Sequence, residues 1–162
     1  ASLAAPGLRG LLARHAVDTA VSAFIADLHF ARAQALKLGH SVTICQSASG
    51  SACDAPVGSW RQGWIVFAAA GDAGSAAATT VGPGGILRVQ GLLQGLTRFD
   101  SPDSTSTPVS YIRFNGRGIV NSRGSSWRVA AGTGGGAIER LLCISMQGRV
   151  SVRPAGETSC AS

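Results

Sequence analysis

Hydrophobic positions along the chain change their period at Gly39. Before it, Val17, Val21, Phe24, Leu28, Ala31, Ala35 and Leu38 recur at alternating spacings of four and three. That spacing places one apolar stripe on one long α-helix. The pattern predicts a helix from about Pro6 to Leu38. Gly39 supplies a C-terminal stop, and Lys37 and His40 lie near the negative end of the helix dipole. Leu8, Leu11 and Leu12 fall upstream of the main stripe, so they are expected to be exposed on a free chain and suited to neighbouring helices. His29 lies one residue off the stripe and is expected to be partly packed.

After Gly39 the pattern becomes short runs of period two, separated by Gly, Ser, Asp and Pro. The runs predict strands at Ser41–Gln46, Trp60–Phe67, Ile86–Gln90, Tyr111–Phe114, Ser126–Ala130, Glu139–Ser145 and Arg149–Arg153. Asn115–Gly118 (NGRG) and Met146–Arg149 (MQGR) are hairpin-type turns. Ala68–Gly85 is nearly free of side chains and is expected to be a long mobile loop. Asp100–Pro108 is a second loop. One helix followed only by strands implies an α+β fold, with two antiparallel β-sheets packed on the helix.

At 162 residues and 45% apolar composition, the chain can bury a core of its own. Charge changes the picture more. The bases are 13 Arg and a single Lys, the net charge is +6, and the acids are scattered. Seven Arg and one acid, Glu139, lie between Tyr111 and Arg153. Clustered guanidinium groups suit phosphates. The competing reading is a solvated surface.

The four cysteines allow three pairings. Proximity favours Cys45–Cys53 and Cys143–Cys160, each closing a short loop. Disulfides imply an oxidising compartment. The spacings do not match the short C-x(2–4)-C pairs of a zinc site. No run approaches the roughly 20 apolar residues of a membrane span. The chain opens on Ala1, partway into an apolar run, and is expected to be a fragment whose preceding segment is missing.

Catalysis has little support. His15, His29 and His40 all belong to the helix region, without a Ser or Cys partner at a suitable spacing. Gly132–Ala137 (GTGGGA) lacks the Gly-Lys-Ser/Thr ending of a phosphate loop and leads into a strand. No enzyme activity, cofactor or metal is expected.

Four segments together resemble GspH/FimT-type minor pilins and pseudopilins. They are Asp27–Cys45 (DLHFARAQALKLGHSVTIC), Trp60–Phe67 (WRQGWIVF), Tyr111–Gly118 (YIRFNGRG) and Leu142–Val152 (LCISMQGRVSV) followed by Cys160. The resemblance implies a pilin-like fold with a truncated stem. Residues 1–38 would be the C-terminal part of the pilin helix, and residues 39–162 a β-rich head forming one domain with it. The missing hydrophobic stem would hold the protein in the inner membrane, with the head in the periplasm. After assembly the protein would sit in an extracellular fibre beside other major and minor pilins.

The family's branches differ in role. Some members cap type II secretion pseudopili, and others prime or connect a type IV pilus tip. FimT-like members bind DNA in natural transformation through a Gly-Arg-x-Arg signature. Here the matching stretch is Gly148-Arg149-Val150-Ser151-Val152-Arg153, with Ser151 at the last signature position. Alternation along a strand puts Arg149, Ser151 and Arg153 on one face, about 13 Å from end to end. The expected partner is the backbone of double-stranded DNA, bound without sequence preference. The candidate residues are Arg149, Arg153, Gly148, Arg140, Arg128, Arg117 and Arg123, with Trp127 as the candidate base-stacking residue.

Overall fold

The computed structural model describes residues 5–101, 108–120, 125–134, 137–154, 156–157 and 159–160. Helix α1 (Ala5–Leu38) has 34 residues and is followed by β1 (Val42–Gln46). Gly39 takes φ +63°, which ends the helix as its position predicts. A 3-10 turn (Trp60–Gln62) leads into β2 (Trp64–Ala69). A short helix α2 (Ser75–Thr79) precedes β3 (Val81–Gln90) and β4 (Leu96–Asp100). The remaining strands are β5 (Tyr111–Phe114), β6 (Ser125–Ala131), β7 (Ile138–Ile144) and β8 (Val150–Arg153).

The strands form two antiparallel four-stranded sheets, ordered β3-β2-β1-β5 and β4-β6-β7-β8. Both turn one face to α1. The helix buries Val17, Phe24, Leu28, Ala31 and Ala35 essentially completely, and Ala13 and Ala20 widen the stripe. Leu38 departs from the stripe and is half exposed, because the chain turns away at Gly39. His29 is exposed, not partly packed.

Phe24 is the hub of the core. Its ring lies 5.1–5.6 Å from Trp64, Trp60, Phe99 and Trp127, the first three in edge-to-face geometry. These partners come from both sheets and from the 3-10 turn, so one helical side chain ties the layers together. Burying a side chain of this size contributes roughly 1.5–3 kcal/mol, with about 0.5–1.5 kcal/mol more for an aromatic pair. A polar contact fixes the rotation of the helix. Asp27 accepts hydrogen bonds from Trp64 Nε1 and from Arg88, both at 2.8 Å, and the Arg88 guanidinium lies over the Phe30 ring.

Three expectations need correction. Ala68–Gly85 is not one long loop: it contains the end of β2, helix α2 and the first residues of β3. Ala78 is fully buried, so these small side chains pack closely where larger ones could not. Trp60–Gln62 is a 3-10 turn, and the strand begins only at Trp64. Strand β4 (Leu96–Asp100) is absent from the period-two pattern. A register shift between Leu96 and Arg98 leaves its buried residues, Leu96 and Phe99, three apart, so the period of two is broken.

The disulfides are Cys45–Cys53 and Cys143–Cys160, as proximity favours, each with Cα atoms 5.6 Å apart. No helix among the described residues is long and apolar enough to cross a membrane, which says nothing of a β-barrel.

Candidate nucleic-acid interface

The register of the second sheet sorts the candidate arginines. Arg128 on β6 and Arg153 on β8 both stand opposite Leu141 of β7. Trp127 and Val129, which flank Arg128, are buried in the core, so Arg128, and across Leu141 also Arg153, occupy the outer face. Arg140 does not share it. It stands opposite the buried Val129 and one position from Leu141, hence on the helix side, and it donates to the carbonyl of Glu139. Sequence spacing alone could not separate these faces, because cross-strand register decides them.

Arg149 lies in the turn between β7 and β8. Its carbonyl accepts from Ser145, and its amide donates to the Ser145 hydroxyl. Arg149, Ser151 and Arg153 line one cavity of about 600 Å³, together with Gln147 and the Cys143–Cys160 disulfide. Ser151 and Arg153 alternate onto one face of β8, whereas Arg149 belongs to the turn before it. Arg149 is exposed and makes no ion pair with a described residue.

Gly148 has a structural reason to be glycine. It is buried with φ +73°, and a Cβ there would meet Phe114 Cε1 at 3.1 Å and both Arg32 Cδ and the Gly118 carbonyl at 3.3 Å. It lets the 145–149 turn approach the first sheet, with Arg149 exposed on the far side of the turn. The Asn115–Gly118 turn is its neighbour. Val120 bridges to Phe114 and donates its amide to the Met146 carbonyl, joining the two sheets. Arg117, exposed at the tip of that turn, therefore lies near the Arg149 turn.

Acids neutralise much of the outer face. Arg98 pairs with Asp100 at 2.7 Å, Arg128 with Glu139 at 3.8 Å and Arg153 with Glu157 at 3.8 Å. The sequence reading overlooked this screening, although Arg98 and Asp100 are two apart on a strand and so share a face. It also overlooked Arg32, which donates to the Gly118 carbonyl at 3.1 Å and supports both turns. Its helical position beside Ala31, at the edge of the stripe, was the available signal. Trp127 is no stacking platform: it is fully buried against Phe24 and Trp60. Arg123 lies outside the described residues.

A long N-terminal helix laid across two antiparallel four-stranded sheets, with a disulfide on each, defines a pilin-like subunit. The model of the family described as "Type II transport protein GspH" matches residues 20–148, and the chain belongs to this family. The match ends just before Arg149, so Arg149 and Arg153 lie past it. Crystal structures of the type IV minor pilin FimU from Pseudomonas aeruginosa (strain PAO1) have the same fold. One, in space group P21, has TM-score 0.62 at 17% identity, covering 91% of this chain and 96% of that one. Another, in space group P65, has TM-score 0.57 at 17% identity, covering 89% and 98%. No curated protein has significant sequence similarity to the chain.

Proposed function

We propose that this member of the GspH family is a type IV minor pilin that binds double-stranded DNA through the backbone during DNA uptake for natural transformation. The observation that supports this reading is the exposed turn at Arg149. It carries a cation without a described acidic partner, shares a cavity with Arg153 and Ser151, and lies beside the turn that bears Arg117. Guanidinium groups on exposed turns can meet successive phosphates without reading bases. In this reading the head faces the periplasm before assembly and the outside of the fibre afterwards, among other pilins. The β-rich head and the helix act as one domain.

The test is binding of the 162-residue chain to a short duplex at two salt concentrations. The expected dissociation constant is roughly 10⁻⁴–10⁻⁶ M near physiological salt. Arg149→Ala/Arg153→Ala should weaken binding for every duplex sequence and reduce the salt slope by about two phosphate contacts. No binding at low salt by the folded, oxidised protein would exclude DNA capture.

A second reading is a structural minor pilin that primes or connects the pilus tip, or a type II secretion pseudopilin. It is favoured by the acids paired with Arg98, Arg128 and Arg153, and by the exposed Leu8, Leu11 and Leu12 on the helix. Loss of DNA binding in vitro would leave this reading standing.

A further inference from the structure

Arg113 on β5 is a buried arginine outside the candidate interface. Its neighbours Ile112 and Phe114 are buried in the main core, which includes residues of α1. Arg113 stands directly opposite Thr43 of β1, in a sheet whose outer face is covered by α2. It is only 9% exposed, yet it pairs with no described carboxylate. One of its terminal nitrogens donates to the Gly74 carbonyl at 3.1 Å, just before α2, and its buried Nε has no hydrogen-bond partner. Thr43, on the interior strand β1, is in the same condition: it is fully buried and its hydroxyl has no partner. Ser41, two residues earlier, is also buried, but it lies against Asp72. The carboxylate on this side, Asp72, is largely exposed and is engaged by the Ser41 amide and by His40.

A buried charge without a counter-charge is costly, and so is a buried donor without an acceptor. Arginine offers donors only, and a hydroxyl can turn its proton toward an acceptor. Arg113 and Thr43 stand directly opposite each other, and both present unsatisfied buried donors, a pair suited to a negative group. We propose that Arg113 and Thr43 make an internal site for a small monovalent inorganic anion of the halide class, beneath α2. One negative charge offsets one guanidinium, whereas a dianion would leave an excess buried charge. Such an ion clips the 70–80 segment to the sheet, because the same guanidinium already holds Gly74.

The site is tested with the oxidised 162-residue chain in sodium chloride, sodium bromide and sodium gluconate at matched ionic strength. Halide should raise the melting temperature saturably, as a ligand of the native state does. It should also slow amide exchange at Ala76–Thr80 several-fold relative to gluconate. Arg113→Met and Thr43→Val should each flatten the halide response. Thr43→Val keeps the side-chain shape and serves if Arg113→Met does not fold. Identical behaviour in halide and gluconate would overturn the proposal and assign the space to water. A halide response surviving in Thr43→Val and in any folded Arg113→Met would also overturn it.

Discussion

The outer faces of the two sheets are finished in opposite ways. The first is roofed: Cys45, Ile65, Phe67 and Ala69 are sealed beneath the loop that Cys53 closes and beside Val81 and Tyr111. The second is more open: Leu141 and Cys143 of the Cys143–Cys160 bridge are covered, but around them Arg98, Arg128 and Arg153 are each matched with an acid. Both sheets give their inner faces to the same helix, so the difference is not about building the core. A roofed face adds buried area but gives up its surface. An open face keeps its surface and must hold its charge in solution. Exposed ion pairs contribute only about 0–1 kcal/mol each, so the open face costs little to alter.

The largest expected effect tests whether the two faces belong to one cooperative unit. Phe24→Ala removes the hub that touches both sheets and should cost about 3–5 kcal/mol. Denaturant unfolding followed at Trp60, Trp64 and Trp127 should then show a single transition. Two separated transitions would mean that the sheets unfold independently.

Next come the disulfides, one on each outer face. Replacing either pair by Ser should cost about 2–4 kcal/mol, and the longer Cys143–Cys160 loop should cost about 0.7 kcal/mol more in the chain-entropy model. Amide exchange can tell where the loss appears. Removing Cys45–Cys53 should speed exchange in the roof over the first sheet. Removing Cys143–Cys160 should speed it at β8.

Gly148→Ala should destabilise by about 1–3 kcal/mol, because a positive φ and contacts at 3.1–3.3 Å both oppose the added methyl. If Gly148 serves only to aim the turn, DNA affinity should fall with the displacement of Arg149 even at temperatures where the protein stays folded. Unchanged affinity in a displaced turn would argue that Arg149 is not the contact.

The smallest effect concerns the roof. Ser49, through its side chain first, and the amides of Ala48 and Ser49 lower the Asp54 pKa to about 2. A carboxylate with a depressed folded pKa contributes stability above its unfolded value, near 3.8, and loses it as pH falls toward 2. Asp54→Asn should therefore flatten the melting temperature between about pH 4 and pH 2, while leaving the second sheet's exchange unchanged.

Much of this plan was legible in the residues themselves. The four-three stripe located the helix that carries Phe24, and short spacing suggested both disulfides. Period-two runs found most strands. What stayed hidden depended on partners that are distant in sequence. The bulge in β4 scrambled the spacing of Leu96 and Phe99. The burial of Trp127 and Arg113, and the separation of Arg140 from Arg128, follow from which strand lies opposite which. The candidate site shrank for the same reason: counting arginines ignores the acids that folding brings to them.

The Cys143–Cys160 bond also decides how the molecule bears load. β8 is an edge strand, held to the sheet by β7 alone. Without the bridge, tension applied beyond residue 160 would unzip β8 one hydrogen bond at a time. With it, tension passes through sulfur into Cys143 on the neighbouring strand and bypasses β8 altogether. The strand carrying Arg153 thus lies inside a covalent loop that stays slack while the tail is pulled.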